Sequence, residues 1–278
     1  MEGGATQPRQ GLTLMRPSQP LYDVLAPTYK EHFNVPHRRL YDTLAWERVL
    51  ALLPPPGPGV GPVVDAGCGV GRWARMLIER GYEVVGVEQS PGMLAELDRA
   101  RLGPDFTLVR GSMDAADVDA VLRGRPAAMV FAMGSVQYTA DPAETVARLA
   151  SWLAPGASLA VLVDSLVGLV MELIGSGRDA EAAERLSTRR GVWRIEGATA
   201  DLHLLDRAAL TAAFEAAGLG DVTAAGLLVG AGPLGRERLQ VRLDADFDAV
   251  LEQERRWADD PVLADAGKQL LVTGRRPD

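Results

Sequence analysis

Residues 63–71 read Val63-Val64-Asp65-Ala66-Gly67-Cys68-Gly69-Val70-Gly71, and they predict a buried strand followed by a glycine-rich turn that leads into a helix. Glycine allows the backbone to turn tightly and to come close to a ligand. The helix that follows presents free backbone N–H groups and positive partial charge at its start. In a doubly wound sheet, ligands bind outside the carboxyl ends of the strands, where the strand order reverses. The stretch therefore predicts an α/β fold with a ligand at this turn.

Strands and helices alternate on both sides of the turn. Short apolar runs predict seven strands, at residues 62–65, 82–87, 106–110, 127–132, 157–163, 222–229 and 269–275. Helical patterns separate most of them, with Gly81 as a C-terminal cap and Asp141 and Asp206 as N-caps. This alternation is typical of a parallel sheet covered on both faces. We expect a Rossmann-like, doubly wound, mostly parallel sheet of seven strands.

The same pattern divides the chain. Residues 1–20 are rich in Gly, Gln, Pro and Arg and predict a flexible N-terminal arm, and residues 21–278 form a single domain. Within the domain we expect a helical cap at 21–59, broken by Pro27 and Pro36, a ligand-binding half at 60–165, an inserted lid at 166–200 and the rest of the sheet at 201–278. The lid is predicted because an apolar helix, a polar helix and a loop at Gly191 interrupt the strand–helix rhythm.

Two acidic residues narrow the choice of ligand. Glu88 ends the predicted second strand, about twenty residues after the turn, where a carboxylate can accept two hydrogen bonds from a ribose diol. Residues 69–74 also match the G-x-G-x-x-A dinucleotide fingerprint, so a nicotinamide-dependent oxidoreductase is one alternative. Asp65 favours another ligand, because an acid before the turn repels a pyrophosphate but suits an ammonium group. A cofactor-binding module without catalysis is the second alternative.

The motifs resemble those of the class I S-adenosylmethionine-dependent methyltransferases, and they occur in that family's order. Residues 65–71 resemble the first motif and residues 88–94 the second. Residues 111–114 follow the third strand, residues 131–138 follow the fourth, and residues 152–156 lead into the fifth. The resemblance implies S-adenosylmethionine as the cofactor and transfer of its methyl group as the activity.

The resemblance also implies the cofactor contacts. Asp65 and the backbone of residues 67–71 would hold the methionine part, and Glu88 would bind the ribose. Many members carry an acid where this chain has Ser112, which leaves the adenine amino group to the Ser112 hydroxyl or to Asp114. The full set of expected cofactor-binding residues is Tyr22, Asp65, Gly67, Gly69, Gly71, Glu88, Gln89, Met93, Ser112, Met113, Met133 and Gly134.

The acceptor side carries fewer signals. The candidates for catalysis are Tyr138 after the fourth strand, His32 on the N-terminal helix and His203 in the apolar stretch 202–205. The candidates for acceptor contact are Tyr29, Tyr138, Met171 and Trp193. For each of these side chains ordinary packing is the alternative. Methyl transfer requires alignment and exclusion of water, and a base only where the acceptor must lose a proton early.

Composition limits the partners. The formal net charge of −8 repels a phosphate backbone, Lys and Arg form no run, and no Asn-Pro-Pro-Tyr type of sequence follows the fourth strand. We therefore expect a small-molecule methyl acceptor and no nucleic acid. The acidic character and the GC-rich codon usage that the Ala- and Arg-rich composition implies are associated with specialised metabolism.

The remaining expectations concern location and state. No apolar run approaches the roughly 18 residues of a membrane span, and residues 1–20 lack the apolar core of a signal peptide. The single cysteine, Cys68, fits a reducing compartment and is expected to fill space in the turn. Three scattered histidines and one cysteine give no metal-ligand spacing. We expect a cytoplasmic protein without a metal site or membrane contact, as a monomer or a homodimer.

Overall fold

The computed structural model describes residues 15–31, 35–195 and 197–278. In chain order the elements are α1 (Gln19–Tyr29), α2 (Pro36–Leu52), β1 (Val63–Ala66), α3 (Arg72–Ile78), β2 (Val84–Glu88), α4 (Pro91–Ala95), α5 (Arg99–Leu102), β3 (Phe106–Arg110), α6 (Val118–Leu122), β4 (Ala127–Met133), α7 (Pro142–Ser151), β5 (Leu153–Asp164), α8 (Leu166–Gly175), α9 (Asp179–Thr188), β6 (Arg190–Ile195), β7 (Ala198–His203), α10 (Arg207–Ala216), β8 (Gly220–Leu227), α11 (Ala231–Ala245), α12 (Phe247–Ala258) and β9 (Gln269–Arg275).

Seven strands form one sheet in the order β3-β2-β1-β4-β5-β9-β8. Strands β1 to β5 pair in parallel, and β9 is antiparallel to both β5 and β8. The predicted mostly parallel sheet of seven strands is confirmed. The order reverses between β1 and β4, which places a cleft at their carboxyl ends.

Helices cover both faces of this sheet. Neighbouring strand residues alternate between two buried clusters: Val64 belongs to one and Val63 to the other. The first cluster includes Leu149 of α7 and Phe214 of α10, and the second includes Leu44 of α2, as well as residues of α3 and α12. A sheet buried on both faces explains why its central strands read as continuous apolar runs.

The N-terminal segment differs from the prediction in two ways. Pro27 lies inside α1, so the predicted break there is wrong; it stands two residues from the helix end, beside the buried Ala26, where only the last turn loses a hydrogen bond. Pro36 does begin a helix, since proline at the first position needs no backbone donor. The helix starts at Gln19, and Arg16 pairs with Asp201, so residues 15–20 contact the body of the protein.

The predicted lid contains a β-hairpin that the sequence analysis missed. Helices α8 and α9 are followed by β6 and β7, which pair with each other and stand apart from the main sheet. The predicted loop at Gly191 is wrong: Gly191 lies in β6 opposite Leu202. A Cβ on Gly191 would lie 3.0 Å from the Leu202 side chain, so a larger residue here would require that side chain to shift.

The C-terminal part follows the prediction more closely. Asp206 caps α10 by accepting from the backbone N–H of Ala209, and the final strand has the predicted bounds 269–275. Helix α11, with a kink at Gly235, was not predicted. None of the helices in the described part of the chain has both the length and the apolar character needed to cross a membrane.

Candidate functional site

The glycine-rich turn is fixed to the end of β2. The backbone N–H groups of Gly67 and Cys68 both donate to the carbonyl of Val87, at 2.8 and 2.9 Å. Gly67, Gly69 and Gly71 have φ angles of 93°, 54° and 76°, a region that side chains disfavour. A Cβ on Gly69 would meet no atom within 4 Å and would project into open space, whereas one on Gly71 would lie 2.5 Å from Leu97. Gly69 thus leaves room for a ligand, and Gly71 serves packing.

Glu88 holds the same turn from the other side. Its Oε2 accepts from the Gly69 N–H at 2.9 Å, and its Oε1 accepts from the N–H groups of Gln89 and Ser90 at 2.9 and 2.7 Å. Burial raises the pKa of this carboxyl group, and the three backbone donors oppose that rise. The Glu88 carboxylate therefore connects the second motif, which begins at Glu88, to Gly69 of the first motif.

Asp65 is a buried acid with one carboxylate oxygen that accepts no hydrogen bond from the described residues. Only 1% of its surface is exposed. Burial, with the nearby Glu88 carboxylate, raises its pKa to about 8. Within the part of the chain that the structure describes, its Oδ2 has no hydrogen-bond partner. A cationic ligand group would satisfy it, because burying an acceptor without a partner is unfavourable.

A cavity of about 580 Å³ lies at the carboxyl ends of β1 to β4. Ten of the twelve predicted cofactor-binding residues line it: Tyr22, Gly67, Gly69, Glu88, Gln89, Met93, Ser112, Met113, Met133 and Gly134. Asp114, the alternative to Ser112, also lines it. Asp65 and Gly71 lie behind this wall. The structure therefore brings together residues from five separate stretches of sequence, which are helix α1 and the four motifs after β1 to β4.

Asp23 joins the N-terminal helix to the second motif, and sequence analysis missed it. Its Oδ1 accepts from the Ser90 hydroxyl at 2.6 Å and from the Gly92 N–H at 2.8 Å. The Ser90 hydroxyl in turn caps α4 by accepting from the N–H of Met93 at 3.0 Å. Helix α1 is thereby fixed over the cavity, and no local sequence signal pairs positions so far apart.

Tyrosines form the other side of the cavity. Tyr22, Tyr29 and Tyr138 line it. The rings of Tyr22 and Tyr138 meet edge to face with centroids 5.7 Å apart, and their hydroxyl groups are hydrogen-bonded. Burial raises the pKa of both hydroxyls, so both stay protonated and act as hydrogen-bond donors. Tyr138 is therefore ill suited to the role of a general base.

The loop that carries Tyr138 is clamped to the end of β5. The buried Gln137 donates from Nε2 to Asp164 Oδ2 at 2.8 Å and accepts from the Asp164 N–H at 2.7 Å. Trp193 lies behind Tyr22, with ring centroids 5.9 Å apart, and does not line the cavity. Trp193 was predicted to contact the acceptor, and in the structure it packs against Tyr22.

Two other predicted residues lie away from the cavity wall. Met171, predicted to contact the acceptor, is 58% exposed on α8 and does not line the cavity. His203, predicted as a possible base, also lies outside the cavity wall. Burial and Arg190 lower its pKa, and it contacts the backbone carbonyls of Thr139 and Ala140. His32 lies outside the described residues.

Arg190 and the segment 15–18 line the cavity unexpectedly. Arg189 pairs with Asp206 at the surface, whereas Arg190, one residue later, reaches the cavity. Arg189 is the C-terminal cap of α9, with a φ of 53°, whereas Arg190 begins β6. The backbone of Arg16 exchanges hydrogen bonds with Asp201 at 2.9 and 3.2 Å, which holds the 15–18 segment against the hairpin.

Several known proteins are similar to this chain in sequence. A family described as a methyltransferase domain matches residues 37–224. A trans-aconitate 2-methyltransferase of Methylobacterium nodulans is 39% identical over 101 residues, which are 36% of this chain and 36% of that protein. A tRNA 5-carboxymethoxyuridine methyltransferase of Escherichia coli K12 is 26% identical over 244 residues, which are 86% of this chain and 89% of that protein.

Solved structures share the fold. The CcbJ methyltransferase of Streptomyces caelestis superimposes with a TM-score of 0.58 at 20% identity, covering 91% of this chain and 96% of that one. At this identity the likeness concerns the fold. The family match spans more than half of the chain and includes the turn, Glu88 and the strands that carry them. The chain belongs to the methyltransferase-domain family and is an S-adenosylmethionine-dependent methyltransferase.

Proposed function

We propose that the enzyme methylates a small molecule that binds between the Tyr138 loop, helix α1 and the β6–β7 hairpin. The observation that carries this proposal is the composition of the cavity wall. One part consists of the residues expected to hold S-adenosylmethionine, among them Tyr22, and the rest of the wall includes Tyr29, Tyr138 and Arg190. A volume of about 580 Å³ lies within the range of small-molecule sites.

The residues present fit the cofactor. The partnerless Oδ2 of Asp65 suits an ammonium group, and the open space over Gly69 allows close approach. Glu88 lines the cavity with a carboxylate that can accept hydrogen bonds from a ribose diol. When bound, S-adenosylmethionine supplies a methyl carbon that is activated by positive sulfur. The tyrosine side of the cavity excludes water, and the Gln137–Asp164 clamp keeps Tyr138 in place.

A tRNA acceptor is the second candidate. It is favoured by one observation: the relative named as a tRNA methyltransferase matches over 89% of its own length. The net charge of −8 disfavours it, because binding to a phosphate backbone depends on cationic side chains. We therefore place the small-molecule acceptor first.

An assay that follows labelled methyl groups distinguishes a small-molecule acceptor from a tRNA acceptor. The enzyme is incubated with methyl-labelled S-adenosylmethionine and either total tRNA or the small-molecule fraction of a cell extract, with Gly69→Val, which should not bind the cofactor, as the inactive control. We expect label in the small-molecule fraction alone. Label that enters only tRNA would replace the first candidate by the second.

A further inference from the structure

Arg190 is a cation without an ion pair among the described residues; Asp201, whose pKa its charge helps to lower, is paired with Arg16. Of the cationic side chains that the structure describes, Arg16 and Arg190 line the cavity. Arg16 is paired with Asp201, through Nε at 3.1 Å from each carboxylate oxygen. No carboxylate among the described residues forms an ion pair with Arg190, which is partly buried. A partly buried charge without a counter-ion is unfavourable, and an anionic ligand group would relieve it.

Arg190 is also held in position. Its Nη1 lies 3.2 Å from Nε2 of His203, directly opposite it in the β6–β7 pair. The imidazole contacts the backbone carbonyls of Thr139 and Ala140, next to Tyr138. Burial and the Arg190 charge favour neutral histidine, which can accept from Arg190. Nη1 also donates to the Met15 sulfur. Guanidinium has five N–H donors, so those on Nε and Nη2 remain available to the cavity.

We infer that Arg190 binds a carboxylate of the methyl acceptor, that His203 positions Arg190 for this purpose, and that the acceptor is a small carboxylic acid. Arginine recognises carboxylates through paired, charge-assisted hydrogen bonds. Two relatives are named after substrates that carry a carboxyl group. They are trans-aconitate 2-methyltransferase and tRNA 5-carboxymethoxyuridine methyltransferase. The inference rests on the proposed function and names the class of its substrate.

A carboxylate acceptor also agrees with the chemistry of the cavity. Tyr22 and Tyr138 keep their protons, and His203 faces Arg190. A carboxylate needs no base, since it is ionised at neutral pH. One of its oxygens forms a bond to the methyl carbon while the carbon–sulfur bond breaks with its electron pair left on sulfur. The products are a methyl ester and a neutral thioether, and no proton moves.

Calorimetry with a defined probe tests the inference without turnover. Trans-aconitate is titrated into the protein saturated with S-adenosylhomocysteine, and its neutral trimethyl ester serves as the uncharged comparison. A panel of mono- and dicarboxylates follows if trans-aconitate is too large. We expect a carboxylate to bind and its ester not to bind. Arg190→Gln should weaken that binding about tenfold or more and leave S-adenosylhomocysteine affinity unchanged.

Arg194→Gln is the matched control, since Arg194 is an exposed arginine on the same strand and does not line the cavity. It should bind the carboxylate as the unaltered protein does. Equal carboxylate binding by Arg190→Gln and the unaltered protein, or no carboxylate binding while S-adenosylhomocysteine still binds, overturns this inference alone. Failure of the unaltered protein to bind S-adenosylhomocysteine overturns the proposed function, and the inference with it.

Discussion

Glu88 Oε2 accepts a hydrogen bond from the backbone N–H of Gly69 across 2.9 Å, and this contact joins the end of β2 to the turn after β1. The same carboxylate accepts from Gln89 and Ser90. Gly69 and Glu88 are 19 positions apart in sequence, and this hydrogen bond joins the two motifs to which they belong. Glu88 shapes the turn and also faces the cavity, so its replacement affects both.

Glu88→Ala should weaken binding of S-adenosylhomocysteine by about 2–3 kcal/mol, the scale of lost charge-assisted hydrogen bonds. Calorimetry on the folded variant measures the loss. Glu83→Ala is the control, because Glu83 precedes the same strand and pairs with Arg125 at the surface. Near-normal affinity in Glu88→Ala would remove the ribose assignment.

Gly69→Val should abolish cofactor binding and leave the fold in place. The new side chain would occupy space that is open in the structure and that borders the cavity. Gly124→Val is a matched control: Gly124 also has a positive φ, of 76°, and open surroundings, but it lies in an exposed turn away from the cavity. Both variants carry similar backbone strain, so thermal melting should fall equally in the two. Binding that survives in Gly69→Val would show that this turn is not the cofactor site.

Binding of the cofactor should release about one proton through Asp65 near pH 7. The free protein holds Asp65 protonated below its pKa of about 8, and an ammonium group beside it favours the carboxylate. Affinity for S-adenosylhomocysteine should therefore rise with pH up to about 8 and then level off. Calorimetry in buffers of different ionisation enthalpy counts the proton. Proton release that persists in Asp65→Asn would assign it to another group.

The same carboxyl group makes a prediction about stability. Its pKa is higher in the folded protein than in the unfolded chain, so folding stability declines as pH rises toward about 8 and is constant above it. Asp65→Asn should raise the melting temperature of the ligand-free protein, most clearly above pH 8. An equal or lower melting temperature there would argue against a buried, partnerless Asp65.

Tyr138→Phe should change acceptor kinetics and leave cofactor affinity nearly unaltered. The variant keeps the ring that packs on Tyr22 and loses the hydroxyl that bonds to it. The acceptor KM should rise by about threefold to tenfold, the scale of one hydrogen bond. Met171→Ala is the control, since Met171 is exposed and away from the cavity. A larger effect of Met171→Ala than of Tyr138→Phe would place the acceptor near α8.

Much of the fold could be predicted because its signals are local. Gly81 adopts a positive φ after α3, and Asp141 caps α7 through the N–H groups of Ala143 and Glu144, as the sequence indicates. The central strands are buried on both faces and so appear as apolar runs. The cofactor-binding residues could also be predicted from local sequence, because each motif directly follows its own strand.

The acceptor side depends on contacts between distant residues, and those carry no local signal. Arg189 and Arg190 are neighbours of the same type, but Arg189 ends α9 with a φ of 53°. Arg190 begins β6 opposite His203 and reaches the cavity. His203 has the apolar neighbours of a core histidine, yet its partner lies on the facing strand. Gly191 reads as a loop residue and instead makes room for Leu202. These pairings exist only once the hairpin forms.

A crystal structure with S-adenosylhomocysteine would show whether the cavity holds the cofactor and leaves room for a small methyl acceptor. We predict its ribose on Glu88, its amino group beside Asp65, and its sulfur facing an enclosed space bounded by Tyr22, Tyr138 and Arg190. A carboxylate soaked into the crystal should then lie on Arg190, between the guanidinium and the sulfur. A sulfur that faces open solvent, or a space beyond it that is filled by the side chains of the lid, would contradict a small-molecule acceptor in this cavity.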